Sequence, residues 1–105
     1  MVFVETPPFE RVRENYLDDS QYRLLQAALW ARPTLGNVMR GSGGVRKMRW
    51  ATEHAGKRGG LRVLYYWAVR HDHIVLLTVY HKSEMSDLAP KDIKALRMLV
   101  KALED

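Results

Sequence analysis

The chain contains no cysteine, which excludes a disulfide framework and any chemistry that needs a thiolate. It also lacks an apolar run long enough to cross a bilayer, and its N-terminus has no basic segment of the kind that opens a signal peptide. These absences fit a reducing compartment, so we expect a cytoplasmic protein with no membrane contact. With 105 residues, the chain has room for one domain, spanning 1–105.

Several familiar kinds of site are missing as well. The glycine-rich segment 41–44 precedes a predicted strand rather than a helix, so it offers no helix N-terminus to a phosphate. No paired carboxylates and no Ser/His/Asp arrangement are recognisable. His71 and His73 flank a turn without a third strong ligand, which is weak evidence for zinc. We therefore predict neither a metal site nor a cofactor.

Acidic residues are scarce in one part of the chain, residues 40–62. This segment has Glu53 as its one acid and seven basic residues: Arg40, Arg46, Lys47, Arg49, Lys57, Arg58 and Arg62. Its formal charge is therefore +6, against +5 for the whole chain, so the remainder sums to −1. Such concentrated positive charge attracts a polyanion such as RNA and speeds encounter with it.

The hydrophobic pattern predicts an α+β domain. Helical spacing begins at Phe9 and again near Tyr22, where Asp18 and Gln21 have the spacing of a capping box, and a last helix begins at Pro90. Strands are predicted over residues 2–5, 45–50, 61–69 and 74–80, with loops over 33–44 and 51–60. We expect two N-terminal helices packed on a mostly antiparallel four-stranded sheet, followed by a C-terminal helix.

Strand alternation places Lys47 and Arg49 on one face of their strand, and Met48 and Trp50 on the other. Two neighbouring cations repel each other unless an anion such as a phosphate lies between them. The alternative is a solvated sheet edge, where basic side chains discourage aggregation.

Arg62 opens the most hydrophobic strand, directly after Gly59 and Gly60. A charge beside a buried strand is costly unless it is paired or faces a site. The alternative to a site is an internal ion pair with an acid such as Glu84 or Asp87.

Tyr80, His81 and Lys82 end the last strand. If the ends of the strands meet, Lys82 lies near Arg62, while Tyr80 could equally be an ordinary half-buried strand residue. Of the four histidines, His81 is the better acid/base candidate. His54, in the predicted loop over 51–60, is a second candidate.

With these residues in place, the chain resembles the RelE/ParE toxin superfamily, and within it the HigB-like branch. The resemblance extends over nearly the whole chain, and the matching segments are residues 3–6, 24–26, 32–36, 41–50, 56–66, 79–82 and 87–88. The most specific elements are the Gly-Gly-x-Arg-Val-x-Tyr-Tyr motif at 59–66, the Tyr-x-Lys motif at 80–82 and the Asp-Leu pair at 87–88.

The resemblance implies a RelE-like α+β toxin that enters the A site of the 70S ribosome and cleaves mRNA without a metal. It also implies a cognate antitoxin with a helix-turn-helix domain, through which alone the toxin would contact operator DNA. The ribose 2′-OH attacks its own 3′ phosphate in this chemistry.

The resemblance also implies catalytic roles. Arg62 stabilises the charge that gathers on the phosphate, Lys47 or Arg49 assists proton movement or the leaving group, and Lys82 joins them. RelE-type toxins place a catalytic tyrosine just before the last helix, where residues 87–90 here contain none, so Tyr80 or His81 would substitute. The remaining basic residues of the segment are expected to bind RNA: Arg40, Arg46, Lys57 and Arg58.

A different class of function stays open. Members of the ParE branch poison gyrase without cutting RNA, and a simple RNA-binding module would carry a similar charge. The antitoxin would neutralise the toxin either by covering the cationic face with acidic groups or by docking elsewhere and blocking ribosome entry.

Overall fold

The computed structural model describes residues 1–51, 60–85 and 88–104. In these ranges the elements are β1 (Val2–Glu5), α1 (Pro7–Tyr16), α2 (Asp19–Ala31), β2 (Asn37–Val38), β3 (Arg46–Trp50), β4 (Leu61–Ala68), β5 (His73–His81) and α3 (Pro90–Glu104). A short 3-10 turn, Val69–His71, joins β4 to β5. No helix in the described ranges has both the length and the apolar character needed to cross a bilayer.

The strands form one five-stranded sheet in the order β1-β5-β4-β3-β2. β1 runs parallel to β5 and the other neighbours are antiparallel, so the α+β class is confirmed. The prediction of four strands was one short, because β2 lies in a segment assigned to a loop. β2 is only a two-residue strand that pairs with Arg46 and Lys47, and such a contact leaves no periodic pattern in the sequence.

The hairpin of α1 and α2 covers one face of the sheet. Phe9, Leu17, Leu25 and Leu29 are fully buried there, and the strand residues packed against them are Met48, Leu61, Val63, Tyr65, Ile74, Leu76 and Val79. Full burial of one large apolar side chain stabilises a fold by roughly 1.5–3 kcal/mol. This cluster therefore fixes the hairpin on the sheet.

α3 lies on the opposite face. Its Val100 is buried in a second cluster with Val45, Leu64, Val75, Leu77 and Tyr80. The Tyr66 hydroxyl donates a 2.6 Å hydrogen bond to Glu104 and so ties down the end of the helix. The ring of Tyr80 is held by this packing.

The helix starts follow local rules. α2 has the predicted capping box, in which the Gln21 N–H donates to Asp18 Oδ1 (2.8 Å) and the Asp18 N–H donates to Gln21 Oε1 (2.9 Å). α1 begins at Pro7, two residues before the predicted start. Proline is well tolerated there, because the first N–H groups of a helix have no intrahelical partner.

Candidate nucleic-acid interface

A row of three residues crosses β3, β4 and β5 on the face that also carries α3. Arg49 pairs with Arg62 across β3 and β4, and Arg62 pairs with Tyr80 across β4 and β5. Residues directly opposite in paired strands share a face, and Lys47 lies two residues before Arg49 on that same face. The predicted grouping of Lys47 and Arg49 is confirmed, and Arg62 joins them.

These side chains line a cleft of about 590 Å³. The residues lining this cleft, which we call the basic cleft, are Leu35, Asn37, Lys47, Met48, Arg49, Trp50, Arg62, Tyr80 and Lys82. No residue of α3 is among them, so the helix does not cover the part of the sheet where the basic cleft lies. Four of the lining residues are cations, and within the described part of the chain none is a carboxylate.

Arg62 lies at the base of this arrangement, with only 7% of its surface exposed. Its Nη1 donates to the Leu61 carbonyl at 3.4 Å, and it has a further interaction within the chain. Arginine stays protonated in proteins, so a full charge is retained where water is largely excluded. Electrostatic attraction to a bound anion is stronger in such surroundings than in bulk water.

The sequence analysis considered Glu84 and Asp87 as possible ion-pair partners of Arg62. Glu84 accepts hydrogen bonds from the Tyr16 hydroxyl and the His81 amide. Asp87 lies outside the described residues. Glu84 is not among the described residues that line the basic cleft.

Lys82 follows β5 directly and is held beside the start of β4. Its backbone N–H donates to the Gly60 carbonyl at 3.3 Å, so the ends of the strands meet as predicted. Gly60 has a φ of +50°, and a Cβ there would lie 2.9 Å from the Trp50 carbonyl oxygen. Only glycine fits this position without strain, and it brings the end of β3, the start of β4 and Lys82 together.

Other predicted site residues lie elsewhere. Arg46 points to the α1–α2 side of the sheet by strand alternation, where its Nη1 donates to the Gly36 carbonyl at 2.7 Å. Arg40 is exposed in the turn between β2 and β3 and does not line the basic cleft. His81 pairs with Leu61, which pairs in turn with Trp50, on the face opposite Tyr80. Its Nδ1 lies 2.7 Å from Ser83 Oγ.

Three predicted residues lie outside the described residues: His54, Lys57 and Arg58.

The histidine pair lies at the other end of the sheet, where the rings of His71 and His73 are 6.0 Å apart. Asp72 between them pairs with the N-terminal amine at 2.9 Å. No group of three or more potential metal ligands occurs among the described residues.

The sequence analysis missed four of the lining residues: Leu35, Asn37, Met48 and Trp50. Leu35 lies in the connection between α2 and β2, and Asn37 is the first residue of β2. Tyr65 fixes this connection, because its hydroxyl donates to the Pro33 carbonyl (2.7 Å) and accepts from the Gly36 N–H (2.8 Å). Burial raises the pKa of Tyr65, so the hydroxyl stays protonated and keeps both bonds at neutral pH. The tyrosine is 29 residues from Gly36, and no local pattern connects them.

Both a family model and solved structures match this chain. The family model described as the RelE toxin of the RelE/RelB toxin–antitoxin system matches residues 2–105. Among solved structures, that of a double mutant of the E. coli toxin RelE in the free state matches with a TM-score of 0.56. The identity is 11%, and the match covers 94% of this chain and 95% of that chain. At this identity, the structural likeness establishes the fold.

Proposed function

The chain belongs to the RelE toxin family, and from that premise we propose that it is a ribosome-dependent endoribonuclease. It enters the A site, cleaves mRNA there without a metal and thereby inhibits translation. It is the toxin of a type II toxin–antitoxin pair, and its place of action is the cytoplasm.

The observation that carries the proposal is the convergence of four cations on one cleft. Lys47, Arg49, Arg62 and Lys82 come from three parts of the chain that are distant in sequence, yet they line the same space. Positively charged side chains of this kind neutralise the phosphates of a nucleic acid. The basic cleft is therefore suited to an RNA backbone with a phosphate at its centre.

The reaction forms a bond between the ribose 2′ oxygen and the adjacent phosphorus and breaks the bond from phosphorus to the 5′ oxygen. The 2′-OH loses a proton and the leaving 5′ oxygen gains one. The products are a 2′,3′-cyclic phosphate and a 5′-hydroxyl end. Negative charge accumulates on the phosphate oxygens on the way.

Arg62 suits the stabilisation of that charge, because it is buried and already in place before the substrate arrives. Preorganised donors of this kind are typically worth about a hundredfold to a thousandfold in rate. Lys47 and Lys82 differ from the arginines in carrying a compact ammonium group with three hydrogen-bond donors. Either can donate a hydrogen bond to a phosphate oxygen or to the leaving 5′ oxygen.

For the role of the missing tyrosine, the arrangement favours Tyr80 over His81. Tyr80 lines the basic cleft and is opposite Arg62. His81 points to the other face of the sheet. Tyr80 can therefore donate a hydrogen bond to a phosphate oxygen or to the leaving group.

Membership of the family implies an antitoxin, and we propose one with a helix-turn-helix domain. Contact of the toxin with operator DNA would then pass through that partner. A small helix-turn-helix reading frame beside the gene would support this pairing.

The test is cleavage of a defined mRNA on purified ribosomes, read by primer extension. We expect breaks inside A-site codons with the wild-type protein, and none with Arg62→Ala. Arg70→Ala is the matched control, because Arg70 is exposed in the turn after the other end of β4. A circular dichroism spectrum and melting curve of each variant separate loss of chemistry from loss of the fold.

Intact transcripts with the wild-type protein would contradict the proposal. If cells nevertheless stopped growing and gyrase activity fell, the protein would act like a ParE-type poison. Salt-dependent RNA binding without any product would instead indicate a binding module.

A further inference from the structure

Hydrogen bonds among residues 81–84 hold the turn that carries Lys82. The Glu84 N–H donates to the His81 carbonyl at 2.9 Å, and the Ser83 N–H donates to His81 Nδ1 at 3.2 Å. Lys82 lies between these residues, and its own N–H is bound to Gly60. Its backbone is thus attached both to the turn and to the start of β4.

The carboxylate of Glu84 connects this turn to the other layer of the protein. Its Oε1 accepts from the His81 N–H at 3.1 Å and from the Tyr16 hydroxyl at 2.6 Å. Tyr16 is the last residue of α1 and packs against the cluster under the helix hairpin. The hydroxyl therefore reaches from one face of the sheet to a turn whose lysine lines a cleft on the other face.

The electrostatic effects agree with this geometry. The hydrogen bond from Tyr16 is the main cause that lowers the pKa of Glu84, and the His81 amide adds to it. The same bond raises the pKa of Tyr16. Near neutral pH, the pair is a protonated phenol donating to an ionised carboxylate, which is a strong type of hydrogen bond.

We propose that Tyr16 and Glu84 are positioning residues that hold Lys82 at the basic cleft. The inference rests on the proposed nuclease function and extends it to two residues outside the cleft. Lysine has a long, flexible side chain, so its ammonium group is only as well placed as its backbone. Loss of the Tyr16 bond frees the turn, and small displacements of a catalytic group cost large factors in rate.

The main test compares Tyr16→Phe with Tyr66→Phe. Both substitutions remove a tyrosine hydroxyl that donates to a glutamate at 2.6 Å, and both keep the ring. Tyr66, however, holds the end of α3 and does not line the cleft. We expect Tyr16→Phe to lower the single-turnover cleavage rate roughly tenfold, with ribosome affinity unchanged, and Tyr66→Phe to leave the rate at the wild-type value.

A second pair of variants tests the role of Glu84. Glu84→Gln keeps an oxygen that can accept from both Tyr16 and the His81 amide, so it should retain most of the rate. Glu84→Ala should fall to the level of Tyr16→Phe. In a Lys82→Ala background, Tyr16→Phe should have no further effect, because the residue that it positions is gone.

Equal rates for Tyr16→Phe and wild type would overturn the inference, as would equal losses in the two tyrosine variants or full additivity with Lys82→Ala. Amide hydrogen exchange gives a readout that does not need cleavage. Tyr16→Phe should speed exchange at Lys82 and Ser83, and Tyr66→Phe should not. Absence of cleavage by the wild-type protein would refute the nuclease proposal, while unchanged exchange would refute the positioning role.

Discussion

Arg49 and Arg62 face each other directly across β3 and β4. Like charges in this position destabilise a sheet, and Arg62 is almost completely buried while Arg49 is exposed. The folded chain thus places two arginines directly opposite each other in the sheet. A bound phosphate would relieve this repulsion, so the pair fits the proposed binding of an RNA backbone.

Arg49→Gln should therefore separate stability from activity. Removing one of two opposed charges is expected to leave the free energy of unfolding unchanged or to raise it by about 0.5 kcal/mol. The cleavage rate on ribosomes should fall, because the phosphate loses a cation. Urea denaturation and primer extension measure the two quantities. A clear loss of stability would indicate that Arg49 has a structural role that its exposure does not suggest.

The dependence of RNA binding on salt should report which lysines contact phosphate. Each phosphate contact on a single strand contributes about 0.7 to the slope of log affinity against log salt concentration. Lys82→Ala should reduce the slope by about this amount, and Lys94→Ala should not, because Lys94 is exposed on α3 and outside the basic cleft. Fluorescence anisotropy with a short RNA measures both slopes. Identical slopes for the two variants would argue against phosphate contact by Lys82.

Gly60→Ala should destabilise the protein more than Gly41→Ala. Both glycines have positive φ, +50° and +80°, but a Cβ at Gly60 meets the Trp50 carbonyl oxygen at 2.9 Å, whereas at Gly41 the nearest atom is 3.7 Å away. The backbone conformation alone costs about 1–2 kcal/mol for alanine, and the clash adds to it at Gly60. Thermal melting compares the two variants. Equal melting temperatures would show that the protein accommodates the contact with Trp50 without loss of stability.

The Tyr16–Glu84 bond should give a stability difference that depends on pH. The pKa of Glu84 is lowered from its ordinary value of 4.5, first by the Tyr16 hydroxyl. A depressed folded-state pKa contributes stability above the unfolded value, and this contribution is lost as the pH falls through the folded value.

The advantage of the wild type over Glu84→Gln in free energy of unfolding should therefore shrink as the pH falls below the ordinary glutamate pKa of 4.5. Denaturation series at several pH values measure it. A difference that stays constant over this range would mean that the carboxylate charge does not contribute.

Much of the fold follows from local patterns. The Asp18–Gln21 capping box and the central strand at Leu61 are encoded by neighbouring residues, and the structure has both. The shared face of Lys47 and Arg49 follows from the period of a strand alone. The orientation of His81 could also have been predicted from strand alternation. It directly follows Tyr80, so its side chain must point to the other face of the sheet.

Other features depend on contacts between distant residues. β2 exists because β3 lies beside it, and its residues Asn37 and Val38 have no strand signature of their own. Tyr16 is 68 residues from Glu84, and its helical spacing indicates only a core position. Neither the Leu35 and Asn37 side of the cleft nor the support of Lys82 could be inferred from the sequence alone.

The central claim is that the basic cleft promotes attack of a ribose 2′ oxygen on the adjacent phosphate. The most direct measurement uses ribosomes programmed with an mRNA that carries a single 2′-deoxy substitution at the nucleotide where cleavage occurs. We predict complete loss of cleavage at that position and a 2′,3′-cyclic phosphate on the product of the unmodified message. Cleavage of the deoxy-substituted message at an undiminished rate would contradict the account.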